Sequence, residues 1–211
     1  MRPPGAVERA AAVAALGLRS QLPRGAVAEL EAATADPDAR VRAAAVAALV
    51  RAAGRDRAAA GWRRACRDDE ASVRRRAAEL SPELGAAASP RVLTTLLDDT
   101  DVTVVEAAAW ALGELGPTGP PRARAVAALA RLTTDHDDPL VREATVATLG
   151  ALGDPAGLPA VLAACTDKPA VRRRAVLALA PFSGPEVDAA LAGALTDRDW
   201  QTRQAAEDLR A

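Results

Sequence analysis

Asp99–Gly116, DTDVTVVEAAAWALGELG, decides the fold, because the rest of the chain keeps restating it. An acidic turn is followed by a valine, a run of small alanines and a leucine. The same order, usually with an arginine directly after the valine, returns at Val41-Arg42…Leu49, Val73-Arg74…Leu80, Val141-Arg142…Leu149 and Val171-Arg172…Leu179. The anchors Val41, Val73, Val104, Val141, Val171 and Thr202 lie 32, 31, 37, 30 and 31 residues apart by subtraction. Self-similarity at such a period marks a solenoid, in which each unit buries its apolar face only against its neighbours.

Composition agrees. Half of the 211 residues are apolar, enough for a substantial core, but only 2% are aromatic and none is Tyr. The core is therefore thin and built from Ala, Val and Leu. Alanine is the best helix former, and its small side chain lets helices approach closely. Prolines and glycines fall mostly between the Ala/Leu-rich segments, where they punctuate helices. No stretch alternates polar and apolar residues as a half-buried strand does, so the expected class is all-α.

A formal net charge of −1 argues against wholesale binding of nucleic acid or anionic membrane. Lys168 is the only lysine, so nearly all positive charge is carried by arginine. The run Ala10–Leu18 is too short and interrupted for a membrane span and lacks a leader-cleavage pattern. Two cysteines make no disulfide framework and fit a reducing compartment. The expected location is the cytoplasm.

Each unit reads as an outer helix, a short turn beginning with Asp, and an inner helix. In the second unit these are Ala26–Thr34, Asp36-Pro37-Asp38 and Arg40–Ala53. The Asp caps the inner helix, and a neighbouring Pro suits its first turn. The chain opens on a lone inner helix near Ala6–Leu18 and closes on Asp199–Arg210. The expectation is one domain, 1–211, with units at approximately 1–20, 21–54, 55–87, 88–117, 118–153, 154–182 and 183–211. At 100° per residue, Val104, Ala107, Ala108, Ala111, Leu112 and Leu115 share one face. Glu106, Trp110 and Glu114 step by four along the opposite side.

The pattern D-x-D-x-x-V-R-x-A-A-x-x-A-L-G-x-L-G resembles the HEAT repeat, especially the short bacterial form named after phycobilisome lyases. The resemblance covers nearly the whole chain. It implies a right-handed α-solenoid, or armadillo-like superhelix, of about six to seven helical hairpins. Arrays of this kind serve many unrelated roles, so the repeat says scaffold without naming the partner. The resemblance also implies a structural ladder in which Arg side chains reach carboxylates on adjacent units. Asp36, Arg42, Asp68, Arg74, Arg142, Asp167, Arg172, Asp197 and Arg203 are its members here. Val105 replaces the arginine in the fourth unit, which on this reading leaves Asp99 without its usual partner.

The charges are unevenly spread. Arg51–Arg76 carries nine arginines against four acids, whereas 92–121 has no basic residue but contains Asp98, Asp99, Asp101, Glu106 and Glu114. Such segregation is an ordinary solvated surface or a bipolar groove that orients a partner. Trp110 is the strongest single candidate. It lies about 140° from the core centre, on the inner-helix side that lines the concave face of a solenoid. An exposed Trp between Glu106 and Glu114 can clamp a basic or aromatic peptide; alternatively it covers a neighbouring inner helix. Aligned positions extend the surface to Arg75 and Glu79, Glu143 and Ala147, and Arg173 and Leu177. A shallow, Ala-floored trough of this kind suits an extended peptide or partner helix better than a small molecule.

Other residues carry less. Trp62 aligns with core leucines, Trp200 is placed to shield the last helix, and Cys66 and Cys165 read as small buried hydrophobes. His136 sits in an acidic loop, but one histidine cannot supply the paired His-Glu motifs of iron-binding HEAT-like hydroxylases. The Gly/Pro stretch 116–122 reads as a protruding loop beside a second loop at 133–139. No nucleophile system or phosphate loop can be assembled, so no enzyme, metal or cofactor is expected. The leading reading is a scaffold for a protein or peptide. Nucleic-acid binding through Arg51–Arg76, as in HEAT-like DNA glycosylases, and a chromophore-lyase subunit are the alternatives.

Overall fold

The acidic turns start helices because their side chains replace a missing intrahelical acceptor. Asp38 accepts from the Arg40 amide, Asp101 from Thr103, Asp138 from Leu140 and Asp199 from Thr202. The computed structural model describes residues 4–210. A lone inner helix α1 (Ala6–Gly17) is followed by outer α2 (Ala26–Ala33) and inner α3 (Ala39–Ala52), then outer α4 (Arg55–Ala65) and inner α5 (Ala71–Glu79). A short α6 (Ser81–Leu84) precedes outer α7 (Pro90–Leu96) and inner α8 (Val102–Leu115). Outer α9 (Gly119–Asp135) and inner α10 (Pro139–Leu152) follow. The array continues with α11 (Leu158–Ala164) and α12 (Pro169–Ala178), and ends with α13 (Pro185–Ala194) and α14 (Trp200–Asp208). Among the described residues there is no strand.

The inner helices form one row: α1 packs on α3, then α3 on α5, α5 on α8, α8 on α10, α10 on α12 and α12 on α14. In the second row α7 packs on α9, α9 on α11 and α11 on α13. This is an α-solenoid. Its core is the seam between the rows. Every anchor from Val41 to Thr202 is buried there, together with Leu49, Leu80, Leu112, Leu149 and Leu179. Each such leucine contributes about 1.5–3 kcal/mol through burial. Where the inner row is tightest even alanine is too large. A Cβ at Gly150 would stand 2.7 Å from the Ala178 Cα, and one at Gly17 2.6 Å from the Ala48 Cα.

Two local departures have simple causes. Pro82 cannot continue α5, so the chain restarts as α6 and a 3-10 turn at Gly85–Ala87. Trp62 makes use of that break: it is fully buried, as expected, and its indole N–H donates to the Ala77 carbonyl (2.8 Å) and Ser81 Oγ (3.1 Å). The expected protruding loop at 116–122 is not one. Gly116 takes a left-handed conformation that stops α8, and α9 begins at Gly119 with Pro at its first turn. Only three residues link the helices. Trp200 does open α14, but it is 64% exposed and seals little of the end.

Candidate partner-binding groove

A ladder runs along the turns that join outer to inner helices. The guanidinium of an inner-helix Arg donates both Nε and Nη2 to one carboxylate of the next turn, at 2.6 to 2.9 Å. The pairs are Arg42 with Asp68, Arg74 with Asp99, Arg142 with Asp167 and Arg172 with Asp197. Nη1 of each ladder arginine from Arg42 onward turns back to a carbonyl of its own turn, at 2.7 to 3.0 Å. Among the described residues Arg203 makes only that second kind of contact, to the Asp197 and Arg198 carbonyls.

The sequence reading of Asp99 is therefore corrected. Asp99 is fully paired, because a ladder Asp answers the Arg of the unit before it, not the one six residues later. The absent arginine at Val105 instead removes the rung between α8 and α10. At the receiving end the carboxylate is also gone. His136 occupies its position and accepts the Asp138 amide on Nδ1 at 3.1 Å, the turn-closing bond that Asp36, Asp68, Asp99 and Asp197 accept elsewhere. A ring nitrogen thus closes the turn where a carboxylate would lack its guanidinium.

Bidentate pairing holds the ladder carboxylates low. The Arg74 guanidinium keeps Asp99 below its ordinary value against the effect of burial, as Arg142 does for Asp167, Arg172 for Asp197 and Arg9 for Asp36. At Asp68 burial is the largest influence and pushes upward, yet Arg42, the Glu70 amide and Arg74 together still lower it.

An open groove of about 500 Å³ lies beside the junction without a rung, on the free side of α8 and α10. Helix α8 supplies Glu106, Trp110, Gly113 and Glu114, while α10 supplies Leu140, Glu143, Ala144, Ala147, Thr148 and Ala151; Arg174 of α12 closes the far rim. Trp110 is 48% exposed, so about half of its side chain faces the groove and the rest is covered by neighbouring residues. Leu140 is 58% exposed and had not been singled out by sequence. Its position directly before the Val141 anchor turns it away from the core, a signal present in the pattern but unused.

Of the seven residues expected on the concave surface, Glu106, Trp110, Glu114 and Glu143 meet in this groove. Arg75, Glu79 and Arg173 do not line it. Arg75 and Glu79 face each other at 3.4 Å on α5, and Arg173 donates to Gln201 at 2.5 Å. Arg174 approaches Glu143 at 3.4 Å. Neither Glu106 nor Glu114 forms an ion pair among the described residues. Burial, and after it the charges of Asp138, Glu143 and Asp101, push the Glu106 carboxyl above its ordinary value. The groove is acidic, with one indole and a floor of small residues.

The HEAT-repeat family profile matches residues 90–170 and 127–210, more than half of the chain. The chain belongs to the HEAT-repeat family. Solved structures agree on the fold. An engineered protein matches at TM-score 0.64 with 20% identity, over 87% of this chain and 94% of its own. YibA from Escherichia coli matches at TM-score 0.63 with 17% identity, over 98% and 75%. A designed armadillo repeat protein, solved with the peptide (KR)4, matches at TM-score 0.63 with 18% identity, over 87% and 98%. No curated protein matches the chain. The HEAT and armadillo-like fold is commonly an interaction scaffold.

The remaining sequence candidates find ordinary places. Burial pushes the Cys66 thiol up to about 12 and the Cys165 thiol up to about 11, so both stay protonated at neutral pH. Within the basic section, Arg51 meets Glu83, Arg57 meets Glu31, Arg74 meets Asp99, and Arg75 and Arg76 meet Glu79. Among the described residues no helix is long and apolar enough to cross a membrane.

Proposed function

We propose that this chain is a non-enzymatic HEAT-repeat scaffold that holds a protein or peptide on its concave inner-helix surface, with Trp110 as the central contact. The observation that carries the reading is the half-exposed indole standing in an open groove between two inner helices. Large exposed aromatics in such grooves are where binding energy concentrates. Glu106, Glu114 and Glu143 surround it, and Arg75, Glu79 and Arg173 belong to the flanking surface. The peptide bound by the designed armadillo protein fits the same mode of use. The scaffold is a single domain, in units near 1–20, 21–54, 55–87, 88–117, 118–153, 154–182 and 183–211, of the short bacterial type and cytoplasmic.

Nucleic-acid binding is less favoured. Several arginines of the basic section are taken up by carboxylates, and the groove's own charges repel phosphate. No residue specifically supports a chromophore lyase. The test is a pull-down from the native cell with tagged wild type and Trp110→Ala, matched for helicity by circular dichroism. Loss of a specific partner from the variant is the expected result. Equal recovery with both proteins removes Trp110 from the binding surface.

A further inference from the structure

Resting on the reading just given, we infer that the groove between α8 and α10 takes an extended segment of another protein that carries basic side chains four residues apart. Glu106 and Glu114 lie one turn before and one turn after Trp110 and line the same groove. Eight residues of α-helix separate them, or about 12 Å of rise. Both carboxylates are free of ion pairs among the described residues, whereas Glu143 is approached by Arg174. An extended chain advances about 3.3 Å per residue, so side chains at i and i+4 are about 13 Å apart and on one side. That spacing matches the two free carboxylates, and the half-exposed indole between them is a candidate partner for a guanidinium.

The other occupants fit less well. An acidic segment would add charge to a site whose carboxylates already disfavour one another at Glu106. A partner helix would need cations eight residues apart to reach both carboxylates and would set the residue between them against the Trp110 indole. A narrow strand lying on Gly113, Ala144 and Ala147 meets no bulky side chain. Leu140 at one end gives an apolar neighbour of the basic residue something to cover.

The experiment uses the full chain and labelled nine-residue Gly/Ser peptides read by fluorescence anisotropy at low salt. One peptide carries Arg at positions three and seven, a second carries citrulline there, and a third carries Glu. The Arg peptide is expected to bind at least about tenfold more tightly than the citrulline peptide, a factor set by losing charge-assisted contacts. The Glu106→Gln/Glu114→Gln protein should lose that preference, while Glu186→Gln, an exposed position on the outer helix α13, should keep it. Equal binding of the Arg and citrulline peptides, no binding of the Arg peptide, or undiminished binding to the double variant overturns the inference. A neutral peptide whose binding is lost with Trp110→Ala would leave the groove as the contact surface and remove only its preference for cations.

Discussion

Asp98 and Asp99 are adjacent in sequence and each meets an arginine at 2.6 Å, yet their removal should have very different effects. The Asp99 and Arg74 side chains are 7% and 16% exposed, and Asp99 also closes its own turn by accepting the Asp101 amide. Asp99→Ala removes two charge-assisted hydrogen bonds and that turn contact. It leaves the Arg74 guanidinium largely desolvated, with only the Asp68 and Asp69 carbonyls. Breaking a buried pair from one side costs about 3–5 kcal/mol, and partial access to water places this rung near the lower figure, about 3 kcal/mol. The Asp98 and Arg131 side chains are 68% and 53% exposed, so water already screens them and Asp98→Ala should cost less than about 1 kcal/mol. The assay is urea unfolding followed by circular dichroism at 222 nm (a conventional helix wavelength), about neutral pH, with both variants compared to wild type. Because each unit touches only its neighbours, Asp99→Ala should also separate the transition into two steps at the α5/α8 junction. Equal effects within about 0.5 kcal/mol would refute the claim that depth of burial sets the strength of a rung.

Further outcomes can be checked with the same protein. The ladder carboxylates are lowered on folding, so the folded chain binds fewer protons than the unfolded one just below the ordinary Asp value of about 3.9. Their contribution should be complete at neutral pH and disappear as the pH falls from about 4, which urea midpoints across an acid series would reveal. Ellman's reagent should leave native Cys66 and Cys165 unreacted at pH 8 (a customary assay condition, about one unit above neutral) and titrate both once urea is added. Installing the absent rung is a third test. In a double-mutant cycle, Val105→Arg and His136→Asp should show a favourable coupling of about 1 kcal/mol or more, with each single change destabilising; additive effects would show that the two positions do not face one another.

The repeat and its helix order were legible because the valine anchors, capping aspartates and alanine runs answer to local rules that each unit obeys separately. The side of α8 that Trp110 occupies was legible too, since a 100° rotation per residue fixes it, but how far neighbouring helices cover the indole was not. Arg9 was not. It forms the first rung with Asp36, but Glu8 stands where other units have the valine anchor and hides the signature. The direction of the ladder was hidden for a related reason: an Arg and an Asp six residues apart look like partners along the chain, whereas the reach of a guanidinium spans adjacent helices. The flanking surface at Arg75, Glu79 and Arg173 failed to join the groove because short-range contacts claim those side chains first. Spacing along one helix carries no information about such competition.

The choice of arginine for every rung has a consequence at the opposite end of the pH scale. A guanidinium keeps its proton throughout the range in which proteins are handled, so base does not undo these pairs as acid does. The chain has no Tyr and one Lys, and burial pushes its two thiols up to about 12 and about 11. Little is left to ionise in mild alkali, and the molecule should keep both its electrophoretic mobility and its ladder there, resisting base where it yields to acid.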